Sequence, residues 1–369
     1  MKLFLNIKSS ARERHWDTYR EAKKLFEVIE ADVEQQSSIK TYSKNKNSLI
    51  NNLKVKIIEN LDLINYQKLP PKSNKSDLIY VWGSIPKIDK EYIIELDNPY
   101  VLTYYNVKAF HNKLEVLKNE LVKAKKITFL SNTAKNHFLH YFKEFEDKCF
   151  VNYPFMKRNY LNNKRDDKIN FIFVGLDFER KGGLEVLEAF SKVSDDNMHL
   201  TFISNTPKEI KEKFKSKNIT FLEPVKRENL LNEIYPKMDI FIMPTLHESF
   251  GVVFLEALSF GMGIIGTNVY ATPEMIKDDF NGKLLHHPFI KPTIYNGANV
   301  IDCTQKRIGE FMNNYRKSGE FYYSLYDGLK SAIILSKENY KIWQENSIKL
   351  YEEKFGEEKW RENFKRIIS

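Results

Sequence analysis

The chain has 369 residues, of which 42% are hydrophobic and 14% aromatic, a composition that favours packed cores of two ordinary domains over a disordered chain. No stretch approaches the roughly 18 to 20 apolar residues that a membrane-spanning helix needs. The apolar run from Lys2 to Ile7 is too short for a signal peptide and predicts a buried strand instead. Cys149 and Cys303 lack the spacing of a metal site or a disulfide framework, so we expect a reducing, cytoplasmic compartment.

The net charge of +9 lies in the first 160 residues, because positive and negative residues balance in the remainder. A basic half of this kind suits an anionic acceptor, an anionic membrane surface or nucleic acid. Nucleic acid is the weakest of the three, because no RNP, zinc-finger or KH-like pattern accompanies the charge. The excess of positive charge is explained equally well if the lysines only form solvated surfaces. An AT-rich genome would in any case raise the number of lysines.

Strands and helices alternate through the first half, which predicts a Rossmann-like unit. The predicted strands are 2–7, 54–58, 77–82, 92–96, 100–104, 127–130 and 150–153, the predicted helices are 11–29, 114–124 and 133–142, and a loop is expected over 67–75. The segment between the first predicted strand and helix could bind a phosphate with the helix N-terminus and its positive charges. Alternatively, it only caps a helix that is exposed to solvent. Its polar residues are Ser9, Ser10, Arg12, Arg14 and His15.

A polar turn, Glu95-Leu-Asp-Asn-Pro99, separates two of the predicted strands. Ligand sites of α/β proteins form at the carboxyl ends of parallel strands. Asp97 and Asn98 are therefore candidates for ligand contacts. An Asx turn before a proline explains the same two residues at least as well.

A charged, asparagine-rich linker at 156–168 precedes a second alternating unit. Its predicted strands are 169–174, 199–204, 219–222, 240–243, 263–266 and 283–285, and its predicted helices are 184–193, 208–214, 227–235, 272–276, 321–334, 337–354 and 357–368. The segment 288–302 is an irregular insertion to which we assign no role.

A turn after the first strand of this second unit carries two cations. Gly175 closes the strand, and Arg180 and Lys181 come just before Gly182 and Gly183. Glycine permits a close backbone approach, and two cations at such a turn can clamp a diphosphate. Arg-Lys pairs are also common on ordinary surface turns.

The most informative stretch runs from Asp239 to Glu256 and predicts a strand, a loop and a helix. Ser249 offers an N-cap oxygen, and the two glutamates, Glu248 and Glu256, bracket the turn. Eight helical residues rise about 12 Å, the length of a sugar diphosphate plus part of a ribose. The N–H groups at the helix start suit a diphosphate, with one glutamate for a sugar and the other for ribose hydroxyls. An ordinary β-α unit with two glutamates by chance is the alternative.

Two motifs together resemble a known family. Glu248-Ser-Phe-Gly followed by Glu256, after a strand ending in Met-Pro, resembles the E-x7-E signature of retaining GT-B glycosyltransferases, in particular glycosyltransferase family 4 (glycosyl transferases group 1). The run from Gly175 to Gly182 resembles that family's diphosphate site, Gly-x-x-x-x-Arg-Lys-Gly. The resemblance is strong over 169–285 and weak in the first half.

The resemblance implies a GT-B fold, with two Rossmann-like domains facing a cleft and a C-terminal helix that crosses back to the first domain. Residues 1–155, with the helix 356–369, would bind the acceptor, and residues 156–355 would bind a nucleotide-sugar donor. Trp360, Phe364 and Ile367 would form the buried stripe of that helix, although the stripe might pack locally instead.

The resemblance also implies roles for individual residues. Glu248 would bind donor-sugar hydroxyls and steady a cationic sugar ring, while Arg180 and Lys181 would stabilise charge on the diphosphate as the glycosidic bond breaks. Glu256 would bind ribose hydroxyls with both carboxylate oxygens. The remaining donor-binding candidates are Gly175, Ser249, Phe250, Gly251 and Val252.

No metal and no cofactor beyond a UDP- or GDP-sugar is expected. Cationic side chains replace a metal in this family, and the second half contains no Asp-x-Asp motif.

Three features depart from the family pattern. No glycine precedes Gly83, where members carry a Gly-rich loop after the first strand, and Leu176 stands where many members have arginine. Many members also place a histidine at the cleft, and here that place falls on Tyr105, followed by Asn106. These two residues join Asp97 and Asn98 as candidates for acceptor binding.

The expected function is transfer of a hexose-type sugar from a nucleotide sugar to a glycan, lipid or other acceptor, with retention of configuration, in surface polysaccharide or glycoconjugate biosynthesis. The expected location is the cytoplasm, with peripheral association of the basic half with the anionic inner face of the membrane, and no nucleic-acid partner is expected. A GT-B-fold nucleotide-sugar epimerase would instead turn over without an acceptor. A non-catalytic nucleotide-sugar or RNA-binding protein would be indifferent to substitution of Glu248.

Overall fold

The structure is a computed structural model that describes residues 1–35, 61–157, 168–287, 293–295, 298–300 and 323–369. The predicted strand 54–58, Cys303 and most of the segments 156–168 and 288–302 lie outside the described residues. The chain divides into two compact units, of which the first comprises Met1–Pro154, Tyr295–Gly297 and Trp360–Ser369, and the second Phe155–Ile294 and Ala298–Lys359.

The first unit contains a six-stranded parallel sheet in the order β2-β1-β4-β6-β7-β8. Its elements are β1 (Lys2–Leu5), α1 (Glu13–Leu25), β2 (Glu27–Val28), β3 (Tyr66–Gln67), β4 (Leu78–Trp82), β5 (Ile85–Pro86), β6 (Tyr92–Leu96), α2 (Val107–Asn112), α3 (Leu114–Leu121), β7 (Ala124–Phe129), α4 (Asn132–Tyr141) and β8 (Cys149–Val151). Residues 78–81 and 92–96 are buried without alternation, as expected for strands that are covered on both faces.

The second unit contains another six-stranded parallel sheet, in the order β11-β10-β9-β12-β13-β14. Its elements are β9 (Ile169–Val174), α5 (Gly183–Val193), β10 (Met198–Ile203), α6 (Lys208–Lys213), β11 (Ile219–Leu222), α7 (Arg227–Asn229), β12 (Ile240–Met243), α8 (Val252–Ser259), β13 (Gly263–Thr267), α9 (Thr272–Met275), β14 (Gly282–Leu285), β15 (Thr293–Tyr295), β16 (Ala298–Val300) and α10 (Tyr323–Lys354). The last helix, α11 (Glu357–Ile368), lies mostly in the first unit. Two parallel α/β sheets of this kind confirm the predicted fold class.

In each sheet there is one place where the order of the strands reverses direction. Ligand sites can form at these two places. In the second sheet the chain runs outwards from β9 to β11 and then returns to place β12 on the other side of β9. In the first sheet the same reversal lies between β1 and β4. Parallel sheets open a crevice at the carboxyl ends of the strands where the order reverses.

Two elements of the first unit differ from prediction. The predicted helix 11–29 ends at Leu25, and Glu27 and Val28 instead pair with Lys2 and Leu3 as a short strand. The predicted strand 100–104 is wrong, because Pro99–Thr103 is a 3-10 helix. Proline fixes the backbone for a turn at this first position, and the Asn98 side chain caps it.

Two elements of the second unit also differ. The predicted helix 227–235 is α7 followed by a π-helical turn, Leu230–Ile234. The two predicted helices 321–334 and 337–354 are one helix, α10, within the residues described from Tyr323 onwards. Ser336 does not interrupt it, because its hydroxyl donates to the Ile333 carbonyl at 2.7 Å and is satisfied inside the helix.

The C-terminal helix α11 returns the chain to the first unit, as the fold class predicts. Trp360, Phe364 and Ile367 are buried along one face, which confirms the predicted stripe. The Phe364 ring stacks on Trp360 at 4.5 Å and contacts Phe26 and Tyr80 at 6.0 and 5.7 Å between centroids. No helix among the described residues combines the length and the apolar character needed to cross a bilayer.

Replacing Phe364 with alanine should therefore destabilise the first unit by about 3 to 5 kcal/mol, because a fully buried aromatic ring leaves a cavity. Urea unfolding followed by circular dichroism measures this loss. The exposed neighbour Lys365 provides the control, and Lys365→Ala should change stability by less than about 0.5 kcal/mol. Equal stabilities of the two variants would show that α11 does not support the first unit.

Candidate functional site

Two loops meet at the reversal point of the second sheet, one after β9 and one after β12. The strands themselves are neighbours, with Ile240 opposite Phe171. The loops are joined by a backbone hydrogen bond from the Leu246 N–H to the Arg180 carbonyl, 2.8 Å long. This bond brings the two predicted motifs, which are far apart in sequence, into one place.

Lys181 and Glu248 form an ion pair between these loops. The lysine ammonium also donates to the Thr245 hydroxyl at 3.4 Å. The side chains are 13% and 20% exposed, so the pair is largely removed from water. Burial alone would raise the pKa of Glu248, but Lys181 and, more weakly, Arg180 outweigh it and lower the pKa. Glu248 is therefore a carboxylate at neutral pH.

Gly175 explains why Lys181 can reach this position. A side chain at Gly175 would place its Cβ 2.8 Å from Cγ of Lys181, closer than carbon atoms can approach. The lysine stem therefore packs directly on the glycine backbone. A lysine held along its stem points its ammonium group in a defined direction, which a solvated surface lysine does not.

Arg180 is fixed by contacts that the sequence did not indicate. Its Nε donates to Asp177 at 2.9 Å, and one terminal nitrogen donates to the His247 carbonyl at 3.3 Å. Burial, followed by the nearby Arg180 charge, lowers the pKa of His247 to about 4. Because His247 is neutral at physiological pH, the positive charge of this loop pair resides on Arg180 and Lys181.

The helix α8 begins later than the sequence predicts. The predicted N-cap Ser249 is wrong, because the residue before α8 is Gly251, in the left-handed region at φ 86°. Only Val252 to Glu256 is helical between the two glutamates, so the helix contributes about 6 Å of rise, not 12. The N–H groups of Val252 and Val253 come before the first helical bond, which runs from the Phe254 N–H to the Gly251 carbonyl at 2.9 Å. Ser249, Phe250 and Gly251 separate them from Glu248 in the chain.

Glu256 is buried and is held by two residues that the sequence analysis missed. Arg227 Nε donates to Oε1 at 2.6 Å, and the Tyr235 hydroxyl donates to Oε2 at 3.3 Å. Arg227 also contacts the sulfur of Met156 at 3.2 Å. Both carboxylate oxygens predicted to bind ribose thus already accept protein hydrogen bonds.

The four acceptor candidates fall into two groups. Both Asp97 oxygens accept from the Tyr105 hydroxyl, at 3.0 and 2.9 Å. Asn98 accepts from the Tyr100 N–H at 2.8 Å and Asn106 from the Ala109 N–H at 3.0 Å, so both asparagines cap local helices. The Asx-turn interpretation of Asn98 is confirmed.

In the segment after β1, two of the predicted phosphate-binding side chains contact other residues and a third is exposed. The Arg14 guanidinium is paired with Glu95, and His15 stacks on Trp82 at 4.8 Å. Arg12 remains 68% exposed, 3.7 Å from Asp97, and it precedes α1 without a cap hydrogen bond from its side chain to the described residues. Within the ranges that the structure describes, no group of three His, Cys, Asp or Glu side chains is placed to hold a metal ion.

Replacing Arg227 with methionine should lower stability by about 2 kcal/mol or more, because the buried Glu256 carboxylate would lose its charged partner. Adding Glu256→Gln should restore most of the loss, since the uncompensated charge disappears. Chemical denaturation of the four members of this cycle gives the coupling energy. The exposed neighbour Lys226 is the control, and Lys226→Met should be neutral. Additive effects of the two substitutions would contradict the pairing.

The candidate site lies within the part of the chain that matches a known protein family. Residues 160–291 match the family described as Glycosyl transferases group 1. An uncharacterised 41.2 kDa protein of the cps region of Klebsiella pneumoniae is 31% identical over 126 residues, which is 34% of this chain and 35% of that protein. The sulfoquinovosyl transferase SQD2 of Arabidopsis thaliana is 27% identical over 150 residues, 40% of this chain and 27% of that protein. The matches thus span about a third or less of these relatives.

Solved structures share the fold over the whole chain. Sucrose-phosphate synthase of Thermosynechococcus elongatus aligns with a TM-score of 0.62 at 12% identity, covering 100% of this chain and 98% of that chain. The Anabaena protein HepE in complex with UDP and glucose aligns with a TM-score of 0.54 at 11% identity, with the same coverage. Residues 160–291 are therefore similar to the family of glycosyl transferases group 1, and the chain shares the GT-B fold of these structures.

Proposed function

We propose that this protein is a retaining glycosyltransferase of family 4, moving a sugar from a nucleotide-sugar donor to a glycan, lipid or other acceptor. The observation that carries the proposal is the Lys181–Glu248 ion pair, with Arg180 beside it, at the reversal point of the second sheet. It combines a fixed cationic pair, an ionised carboxylate and a helix N-terminus, and each suits one part of a nucleotide sugar.

The diphosphate of the donor would take over Lys181. In the absence of donor, the ammonium is neutralised by Glu248. A diphosphate carries more charge and can also accept from the first N–H groups of α8, so it competes well for the lysine. Glu248 would then be free to accept hydrogen bonds from sugar hydroxyls. This exchange couples the arrival of the diphosphate to the availability of the carboxylate for the sugar.

The same groups suit the chemical step. When the glycosidic bond breaks, negative charge develops on the diphosphate and positive charge on the sugar ring. Lys181 and Arg180 are fixed by Gly175 and Asp177 before the reaction, so little reorganisation is needed to stabilise the diphosphate. The low pKa of Glu248 keeps it negative beside the developing cation.

The ribose would bind at Glu256. Arg227 and Tyr235 orient this carboxylate, whose oxygens are acceptors of the kind that ribose hydroxyls need. The HepE structure contains UDP and glucose, which supports a UDP-sugar as donor, with a GDP-sugar as the second choice. Lys181 and Arg180 supply positive charge beside the proposed diphosphate site, so we propose that transfer is metal-independent.

The relative from the cps region supports a role in surface polysaccharide or glycoconjugate biosynthesis. We further propose a cytoplasmic location, with the basic first half associating peripherally with anionic lipid at the inner face of the membrane.

Lys181→Ala should slow sugar transfer by about 100-fold or more, because the developing diphosphate charge loses a fixed cation. Transfer from UDP- and GDP-hexoses to a panel of glycan and lipid acceptors, followed by NMR, gives the rate and the anomeric configuration of the product. Lys192, an exposed lysine in the last turn of α5, is the control, and Lys192→Ala should retain the full rate.

For each part of the proposal, one result of this experiment would contradict it. An unchanged rate in Lys181→Ala would remove Lys181 from the mechanism, and an inverted anomeric centre would exclude retention. Loss of transfer with EDTA would contradict metal independence. Turnover of the nucleotide sugar without any acceptor would identify an epimerase instead.

A further inference from the structure

A second cluster of polar side chains lies at the carboxyl edge of the first sheet, where its strand order reverses. We define the acidic-edge cluster as Arg12, Arg14, Glu95, Asp97 and Tyr105. Glu95 belongs to β6 and Asp97 follows it, while the two arginines come from the start of α1. The Tyr80 hydroxyl also donates to Glu95, at 2.8 Å. None of the roles proposed for the donor uses this cluster.

Two kinds of uncompensated energetic cost concentrate around the cluster. Tyr104 and Tyr105 are consecutive non-glycine residues in the left-handed region, at φ 56° and 63°, a backbone conformation that is strained for residues with a side chain. Nearby, His15 Nε2 and Trp82 Nε1 are buried without a hydrogen-bond partner among the described residues. Folded chains keep such costs mainly at functional sites, where another requirement outweighs stability.

The strain serves to present one aromatic ring. Tyr105 is 43% exposed, yet its hydroxyl is fixed by both oxygens of the buried Asp97. The side chain is thus anchored at its tip while its ring remains open to solvent. A ring held in this way loses little conformational entropy when a ligand stacks on it.

The charges of the cluster cancel. Arg14 pairs with Glu95, and Arg12 lies 3.7 Å from Asp97. Burial, reinforced by Arg14 and Arg12, holds the pKa of His15 well below its ordinary value, so this ring is neutral. A phosphate at Tyr105 would face the Asp97 carboxylate. The two arginines of the cluster are therefore matched by its two carboxylates.

An anchored aromatic ring beside a neutralised but exposed guanidinium suits a ligand with one apolar face and a rim of hydroxyl groups. A pyranose ring has this form: its C–H face stacks on an aromatic ring, and its hydroxyls accept from N–H donors. Arg12, which is exposed beside Asp97, supplies such donors.

We propose that Tyr105 is the stacking platform for an uncharged sugar ring of the acceptor, that Arg12 donates to its hydroxyls, and that Asp97 is the residue that positions the platform. The inference rests on the proposed transferase function, which it deepens by naming the chemical class of the acceptor group. It also differs from the expectation that a basic half selects an anionic acceptor.

Direct binding measurements test the inference without transfer. Methyl glycosides of glucose, galactose, mannose and N-acetylglucosamine, and their 6-phosphates, are titrated into the full chain with UDP present and followed by saturation-transfer NMR. We expect at least one uncharged glycoside to bind saturably, with the strongest saturation on the C–H protons of one ring face. Its phosphate should bind no more tightly.

The adjacent tyrosines provide matched variants, because they are similarly exposed and share the left-handed backbone. Tyr105→Ala should weaken glycoside binding by about ten-fold or more, while Tyr104→Ala should leave it unchanged. Tyr105→Phe keeps the ring but loses the anchor to Asp97, so it should weaken binding by a smaller factor. Loss of binding in Tyr104→Ala but not in Tyr105→Ala would overturn the assignment.

The other outcomes separate this inference from the proposed function. Tighter binding of the phosphates that persists in Tyr105→Ala would assign the edge to an anionic group. If no glycoside binds although UDP binds and a UDP-sugar is turned over, the inference fails and the transferase function stands. If neither UDP nor any glycoside binds, both fail.

Discussion

The ion pair between Lys181 and Glu248 is the interaction on which the organisation of the second unit depends. It exists because β9 and β12 are neighbours, because a backbone hydrogen bond joins the loops that follow them, and because Gly175 leaves room for the lysine stem. Breaking such a buried pair on one side leaves an uncompensated charge. Under the proposed function, a diphosphate would compete with Glu248 for the lysine.

The reversal points of the two sheets differ in what lies beside their ion pairs. In the second unit, Lys181 and Arg180 are matched by Glu248 and Asp177, and a helix N-terminus adds positive potential. In the first unit, two arginines are matched by Glu95 and Asp97, and the exposed feature is an aromatic ring. An account in which a diphosphate binds one unit and an uncharged sugar binds the other fits this difference. The net charge of +9 alone would have suggested an anionic ligand for the first unit.

The sequence predicted the fold class and several elements to the residue, including β9, β11, β12 and α11, because their apolar runs have clear limits at Gly, Pro or charged residues. It also singled out the two motifs whose residues Lys181 and Glu248 the structure brings together. It could not predict that Lys181 pairs with Glu248, or that Arg227 and Tyr235 hold Glu256, because these contacts join residues 67, 29 and 21 positions apart. Ser249 and the strand 100–104 were wrong for local reasons: Gly251 and Pro99 impose backbone geometry that outweighs side-chain preference.

The central claim is that the Lys181–Glu248 pair marks a diphosphate site, and calorimetric titration tests it most directly. UDP and GDP are compared with UMP, GMP and the free nucleosides, in the wild-type protein and in Lys181→Ala, with EDTA present throughout. The account predicts that one diphosphate binds far more tightly than its monophosphate and nucleoside, and that this preference disappears in the variant. Equal affinities for diphosphate and nucleoside, or a preference that survives the loss of Lys181, would contradict it.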